Sequence, residues 1–196
     1  MNIQLINSVN NFYGNIKICG SKSESNRLLI LKAMFPKIKL NNISNSDDTK
    51  TIIKALKSSE KKIDIHHAGT AMRFLTAYYA FESKKEVFLT GSKRMRERPI
   101  KILVEALREM GALISYHEKD GFPPLLIRSS EPSKNYIKLS SSLSSQYISA
   151  LMLIAPKIPN GLIIEMSGKM TSMSYIKMTQ FILEDIGVNV KFNKKK

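Results

Sequence analysis

A single cysteine, no tryptophan and only three histidines close off several functions at the outset. Cys19 has no partner for an internal disulfide, a pattern that fits a reducing cytoplasm, where we expect the chain to reside. His66, His67 and His117 stand at no metal-ligand spacing with it. No stretch of about 18 apolar residues occurs, which excludes a membrane-spanning helix. Met1–Asn10 shows no basic segment leading into an apolar one, so no secretory leader is read there. Proline, glycine and serine never gather into a linker, and no boundary between independent domains is visible.

Acidic residues are scarce too: 16 Asp and Glu stand against 31 Lys and Arg, a net charge of +15. Three readings compete. A basic face attracts nucleic-acid phosphates; AT-rich coding DNA enriches Lys, Asn and Ile; and some cations serve small anionic substrates. The lysines are scattered, no Arg-rich segment exists, and no aromatic–basic RNA-binding signature appears, so the compositional reading is favoured over nucleic acid. Lys194-Lys195-Lys196 reads as a solvated tail. Hydrophobic residues make up 43% of the 196, enough for a real core.

What is present is repetition. Glu86–Thr90 is a short apolar strand that leads through Gly91 to a helix from about Pro99-Ile100, closing at Gly111. Leu162–Met166 leads through Gly168 to a helix from about Tyr175-Ile176, closing at Gly187, 76 positions after Gly111. Ile100, Leu103, Val104, Leu107 and Met110 share one helical face, with proline suited to the first turn and glycine to the end. A weaker relative runs from Leu40 to Leu56, where Asp47 and Asp48 suit a helix N-terminus. A second pattern opens nearly all-apolar helices from Ser/Thr-rich turns, at Ser25–Ile30, Ala71–Ala77 and Ser145–Ala150. Such helices should be buried. The alternation predicts an α/β fold of repeated units, with apolar helices inside and amphipathic ones outside; the ten methionines read mainly as core filler.

The segments that could carry chemistry lie at helix starts. Ile16–Met34 reads as a strand, the turn Gly20-Ser21-Lys22-Ser23-Glu24-Ser25-Asn26-Arg27, then a helix. Free N–H groups and the positive dipole end suit an anion there, helped by Lys22 and Arg27, although two solvated cations on a capped helix fit equally. The Walker A spacing is absent. Gly69 in Ala68–Arg73 permits close backbone approach. Arg94, Arg96 and Arg98 crowd a helix start, with Glu97 as the candidate partner if they are ordinary surface charge. Ser144, Ser145 and Gln146 offer polar groups at another start, or a simple cap. His66 and His67 could line the site, His117 should sit on the surface, and no Ser-His-Asp arrangement is readable.

Taken in order, Gly20–Arg27, Ala68–Arg73, Arg94–Pro99, Ser144–Gln146, with Phe122-Pro123-Pro124-Leu125, resemble the 5-enolpyruvylshikimate-3-phosphate synthases over nearly the whole chain. The reactive cysteine loop of the sibling family that acts on a UDP-sugar is not evident. The resemblance implies an enolpyruvyl transferase-like α/β domain of βαβαββ units around buried helices, an inside-out α/β barrel incomplete at the C-terminus. Residues 1–14 would cross from a second domain absent here, and 15–196 would form the substrate-binding domain of three repeats, the third truncated. The reaction implied is transfer of the enolpyruvyl group from phosphoenolpyruvate to the 5-hydroxyl of shikimate 3-phosphate, by addition–elimination, with no cofactor and no metal. By resemblance Lys22 is catalytic and lies between the substrates. Ser23, Arg27, Ser144, Ser145, Gln146, Ser172 and Tyr175 would bind shikimate 3-phosphate, and Gly69, Arg98 and Gln146 phosphoenolpyruvate.

The sequence departs from the family at Ser172-Met173-Ser174-Tyr175, where a basic residue and proline are usual, at His67, where asparagine is common, and in the short run Lys57–Ile65, so the first repeat is expected to lack strands. The family's acid/base carboxylates come from the other domain. This half alone is therefore expected to be inactive, with a separate C-terminal half as a candidate partner. A non-catalytic remnant and a basic nucleic-acid-binding domain are the competing readings.

Overall fold

The computed structural model describes residues 4, 13–82, 86–140, 144–168 and 172–193. Along the chain come α1 (Lys22–Met34), α2 (Asp47–Lys57), β1 (Lys62–Asp64), α3 (Gly69–Glu82), β2 (Val87–Thr90), the short α4 (Lys93–Arg96) and α5 (Lys101–Glu109). There follow β3 (Leu113–Tyr116), β4 (Leu125–Arg128), β5 (Tyr136–Ser140), α6 (Ser145–Ile154), β6 (Ile163–Ser167) and α7 (Met173–Asp185). The tail read at Lys194–Lys196 and most of the segment expected to cross domains, 1–14, lie outside the described residues. Among the described residues no helix is long and apolar enough to cross a membrane.

The fold is mixed α/β, built from units of the expected kind. β1 and β2 run parallel with α3 between them, and β2 pairs antiparallel with β4, which pairs with β3 in a hairpin. The sheet order is β1-β2-β4-β3, so β1-α3-β2-α5-β3-β4 makes one complete βαβαββ unit. β5 and β6 form a second, parallel pair around α6, and α7 follows. α1 and α2 stand for the same two helices in the first unit. The strand expected over Ile16–Cys19 is a correction. That segment forms no strand, Ile16 and Ile18 are 87% and 75% exposed, and Cys19 is exposed. Alternating apolar residues become a strand only when a neighbouring strand takes up their backbone groups, and none does so here among the described residues.

The helices divide as their patterns dictate. α3 and α6 are apolar nearly all round and are buried over most of their length. α1 joins them, with Leu29, Ile30, Leu31 and Met34 in the core. α2, α5 and α7 bury one face each: Thr49, Ile52 and Ala55; Leu103, Val104 and Leu107; Ile176, Thr179 and Leu183. Met34, Met72, Met95, Met110 and Met152 fill the core as expected. Pro123–Pro124 is joined by a cis peptide bond.

α5 and α7 end alike. Gly111 and Ala112 donate their N–H groups to the Arg108 and Leu107 carbonyls, and 76 positions on Gly187 and Val188 donate to Glu184 and Leu183, each at 2.9 Å. Both glycines hold positive φ, +105° and +89°, as this helix-ending motif requires. Their surroundings differ. A methyl group on Gly111 would lie 2.7 Å from Ser133 Oγ and 3.1 Å from its nitrogen, whereas nothing lies within 4 Å of the same position on Gly187. Gly187→Ala should cost about 1 kcal/mol, from backbone conformation alone. Gly111→Ala should cost about 1–2 kcal/mol more, because the segment after β4 must also shift. Thermal unfolding of the two variants checks this; equal losses would contradict it.

Candidate anion-binding site

Arg27 on α1 touches three other helices, through Phe74 of α3, Ser149 of α6 and Thr179 of α7. Helix α1 starts at Lys22 rather than after the Gly20–Arg27 segment. Ser21 caps it, its Oγ accepting from the Glu24 N–H, and Gly20 passes the Asn42 carbonyl where a side-chain carbon would have 1.8 Å. Lys22 is thus the first helical residue and exposed, while Arg27 falls in the second turn and points inward, 3% exposed.

Every partner of Arg27 is neutral. Its Nε donates to Thr179 Oγ1 at 2.7 Å, Nη1 to the Ser23 carbonyl at 2.8 Å, and Nη2 to Ser149 Oγ at 3.1 Å and the Tyr175 carbonyl at 3.3 Å. The guanidinium carbon lies 5.4 Å from the Phe74 ring centre and 5.9 Å from that of Tyr175. Burial holds its pKa down to about 10, the Tyr175 hydroxyl partly opposing. Because the folded pKa lies below the unfolded one, the charged form costs stability throughout the neutral range, and the cost is relieved only as pH rises through about 10. A nearby anion would relieve it at neutral pH.

A second buried cation lies on α3. Arg73, 6% exposed, donates from Nη1 to the Gly69 carbonyl at 2.9 Å and stacks 5.9 Å from the Tyr147 ring centre. Its pKa is lowered, first by burial; among the smaller causes the Tyr147 hydroxyl raises it and the Arg98 charge lowers it. Arg98 converges on the same spot: a methyl group on Gly69 would lie 2.8 Å from Arg98 Nη1 and 3.1 Å from Arg73 Nη1. The hydroxyl of Tyr147, in the first turn of α6, donates to the Pro99 carbonyl at 2.8 Å and so ties the segment carrying Arg98 to that helix. Two arginine side chains therefore flank a glycine at a helix N-terminus. None of Lys22, Arg27, Arg73 and Arg98 pairs with a carboxylate among the described residues, although Arg96 pairs with Glu118 and Arg128 with Glu86. Arg27 and Arg73 are desolvated without an acidic partner among the described residues, and a bound anion would offset that cost.

The remaining expected residues are placed as follows. Ser144 caps α6, its Oγ accepting from the Gln146 N–H at 3.3 Å; Ser145 is buried and Gln146 half-buried. Ser172 caps α7 with left-handed backbone, φ +56°, and makes no side-chain cap hydrogen bond. Tyr175, 45% exposed, follows in the first turn of that helix, which starts at Met173, two residues before the expected position. Arg96 takes Glu118, not Glu97, as partner, at 2.8 Å. His66 is exposed at φ +49°, its backbone N–H donating to Asp64 Oδ1 at 2.7 Å and its ring meeting His67 edge-on. His117 is exposed, as expected, against Phe88. Arg73, Ser149 and Thr179 were not foreseen as site residues. The signal for Arg73 was available, since a lone arginine inside the apolar run from Gly69 to Phe81 must be buried with it.

The domain is mixed α/β and carries buried or glycine-flanking arginines near the starts of its helices, chemistry suited to small anions. The sequence profile of EPSP synthase (3-phosphoshikimate 1-carboxyvinyltransferase) matches residues 56–196, and the chain belongs to that family. A 3-phosphoshikimate 1-carboxyvinyltransferase of Bacteroides fragilis is 43% identical over 189 residues, covering 96% of this chain and 46% of that protein. One from Haemophilus influenzae is 39% identical over 207 positions, covering 91% and 48%. EPSP synthase from Acinetobacter baumannii, 20% identical, has the same fold over 92% of this chain and 45% of its own length, with a TM-score of 0.73. The chain spans about half the length of the curated relatives it matches.

Proposed function

We propose that this chain supplies one half of a site at which the enolpyruvyl group of phosphoenolpyruvate passes to the 5-hydroxyl of shikimate 3-phosphate. The observation that carries the reading is Arg27: a buried guanidinium, held by Thr179, Ser149 and two carbonyls, with no charge to balance it. The reaction joins two anions, so its first requirement is fixed positive charge. In the addition step the hydroxyl gives up its proton to a base, its oxygen bonds to the central carbon of phosphoenolpyruvate, and an acid delivers a proton to the methylene carbon, giving a tetrahedral intermediate. In the elimination step the bond to phosphate breaks, the methyl carbon returns its proton, and phosphate leaves.

Within this scheme Lys22 projects between the two substrates. Ser23, Arg27, Ser144, Ser145, Gln146, Ser172 and Tyr175 face shikimate 3-phosphate, and Gly69, Arg98 and Gln146 face phosphoenolpyruvate. Arg73, hydrogen-bonded to the Gly69 carbonyl, positions that strand of contacts and adds to the field at Arg98. No carboxylate stands among these residues, so the proton-transfer acids and bases come from the family's other domain. Closure of that domain would exclude water, and the 196-residue chain alone binds without turning over.

The test is thermal unfolding with and without ligand. Shikimate 3-phosphate at about a hundred times its Kd should add about 2.7 kcal/mol, raising Tm by about 5–10 °C for a domain of this size. Shikimate without its phosphate should shift Tm far less. Equal effects from the two ligands, or none from either, would sink the assignment.

A further inference from the structure

An arginine side chain carries five N–H donors in one rigid plane. In Arg27 four of them have acceptors, drawn from three helices. Nη1 gives one to the Ser23 carbonyl of α1, and Nη2 gives two, to Ser149 Oγ of α6 and the Tyr175 carbonyl of α7. Nε gives its single N–H to Thr179 Oγ1 of α7. Among the described residues the second N–H of Nη1 has no acceptor. It lies beside the first turn of α1, because the same nitrogen bonds the Ser23 carbonyl at 2.8 Å. With the plane held at three of its nitrogens, the direction of this last donor is set before any ligand arrives.

Thr179 is the acceptor on which that direction most depends. Nη2 has two partners and keeps one if the other is lost, whereas Nε has one N–H and one acceptor. The Nε bond is the shortest of the four, at 2.7 Å, and joins residues 152 positions apart. Thr179 and Ser149 are fully buried, so bulk water does not take the place of either hydroxyl. The Thr179 hydroxyl is itself oriented: it donates to the Tyr175 carbonyl one turn back at 2.9 Å, with Ser149 Oγ at 3.0 Å. Its proton therefore points away from Arg27 and its lone pair toward Nε. A side chain so far inside does not reach a ligand, and what it does at the site it does through Arg27.

We infer that Thr179 is a positioning residue, which with Ser149 in support aims the Arg27 guanidinium so that one N–H of Nη1 meets the anionic ligand. An arginine held in this way has little side-chain freedom left to lose when the ligand binds, which is how a buried neutral hydroxyl raises affinity without touching it. The inference rests on the reading of Arg27 as a ligand of shikimate 3-phosphate, and its test separates the two.

Two measurements on the 196-residue chain provide it: calorimetric titration with shikimate 3-phosphate, and solvent exchange of the Arg27 Nε–H followed by nuclear magnetic resonance. Thr179→Val keeps the shape of the side chain and removes the hydroxyl. It should raise Kd about tenfold and speed Nε–H exchange by at least about as much, the scale of one hydrogen bond to a charged group. Thr179→Ser should restore both. With Arg27→Met already in place, Thr179→Val should change Kd no further, as expected of two residues that act as one. Unchanged Kd in Thr179→Val would overturn the inference. So would an equal loss with Arg27 already replaced, because a merely structural threonine weakens binding by a route that bypasses Arg27. If the unsubstituted chain binds no shikimate 3-phosphate, the ligand assignment fails and the Nε–H signal decides the placement: faster exchange in Thr179→Val sustains Thr179 as the residue that holds Arg27, and unchanged exchange overturns it.

Discussion

Lys22→Ala is expected to lower turnover of the complete two-domain enzyme by about 10²–10⁴-fold, the range for removing a group that handles charge or protons in the transition state. The expectation rests on placement. Lys22 is the first residue of α1, exposed, at the positive end of the helix, and it pairs with no carboxylate among the described residues. Its ammonium is therefore available to a substrate. The variant should fold normally, because Ser21 still caps the helix and alanine is the best helix former. Steady-state phosphate release together with thermal unfolding separates the two effects. A loss of activity that tracks a loss of stability would contradict the assignment, and so would full activity.

Arg27→Met should act on ligand binding, again with little change in stability. Methionine matches the length of the arginine stem and removes a charge that the fold desolvates without a counter-ion. Thr179 keeps its hydrogen bonds to Ser149 Oγ and to the Tyr175 carbonyl. Replacing a buried charge by a well-packed apolar side chain is often neutral or stabilising, so the unliganded chain should change by no more than about 1–2 kcal/mol. Affinity for shikimate 3-phosphate should fall at least about 100-fold, the 2.7 kcal/mol scale of a lost charge-assisted contact. Calorimetric titration of the ligand, with denaturant unfolding of both proteins, checks the pair of outcomes. Unchanged affinity would show that Arg27 is a structural cation, holding α1, α6 and α7 together and nothing more.

The parts of the fold legible in the sequence are those set by local spacing. The shared helix ends at Gly111 and Gly187 follow from glycine after an i, i+3, i+4 stripe, and the apolar runs Ala71–Ala77 and Ser145–Ala150 had to be buried wherever they packed. What spacing does not carry is partnership. Ile16 and Ile18 alternate as in a strand but have no strand neighbour among the described residues. Arg96 found Glu118, distant in sequence, over the adjacent Glu97, because α4 turns it toward the loop between β3 and β4.

The candidate site divides the same way. The motif from Gly20 to Arg27 names two cations, but at 100° per residue five positions turn the helix by about 140° beyond a full circle. Lys22 and Arg27 therefore face opposite ways, one to solvent and one into the core, which only the helix start at Lys22 reveals. The hydrogen-bond partners of Arg27 on α6 and α7, Ser149 and Thr179, lie more than a hundred residues away and carry no local signature.

The most direct test of the central claim is phosphate release from phosphoenolpyruvate and shikimate 3-phosphate by three proteins. These are the 196-residue chain alone, the chain fused to the remaining half of the Bacteroides fragilis relative it matches, and that fusion carrying Lys22→Ala. Turnover by the fusion alone, with the chain and the variant silent, is the predicted result. Turnover by the chain alone, or a folded fusion that binds both substrates and releases no phosphate, would contradict the account.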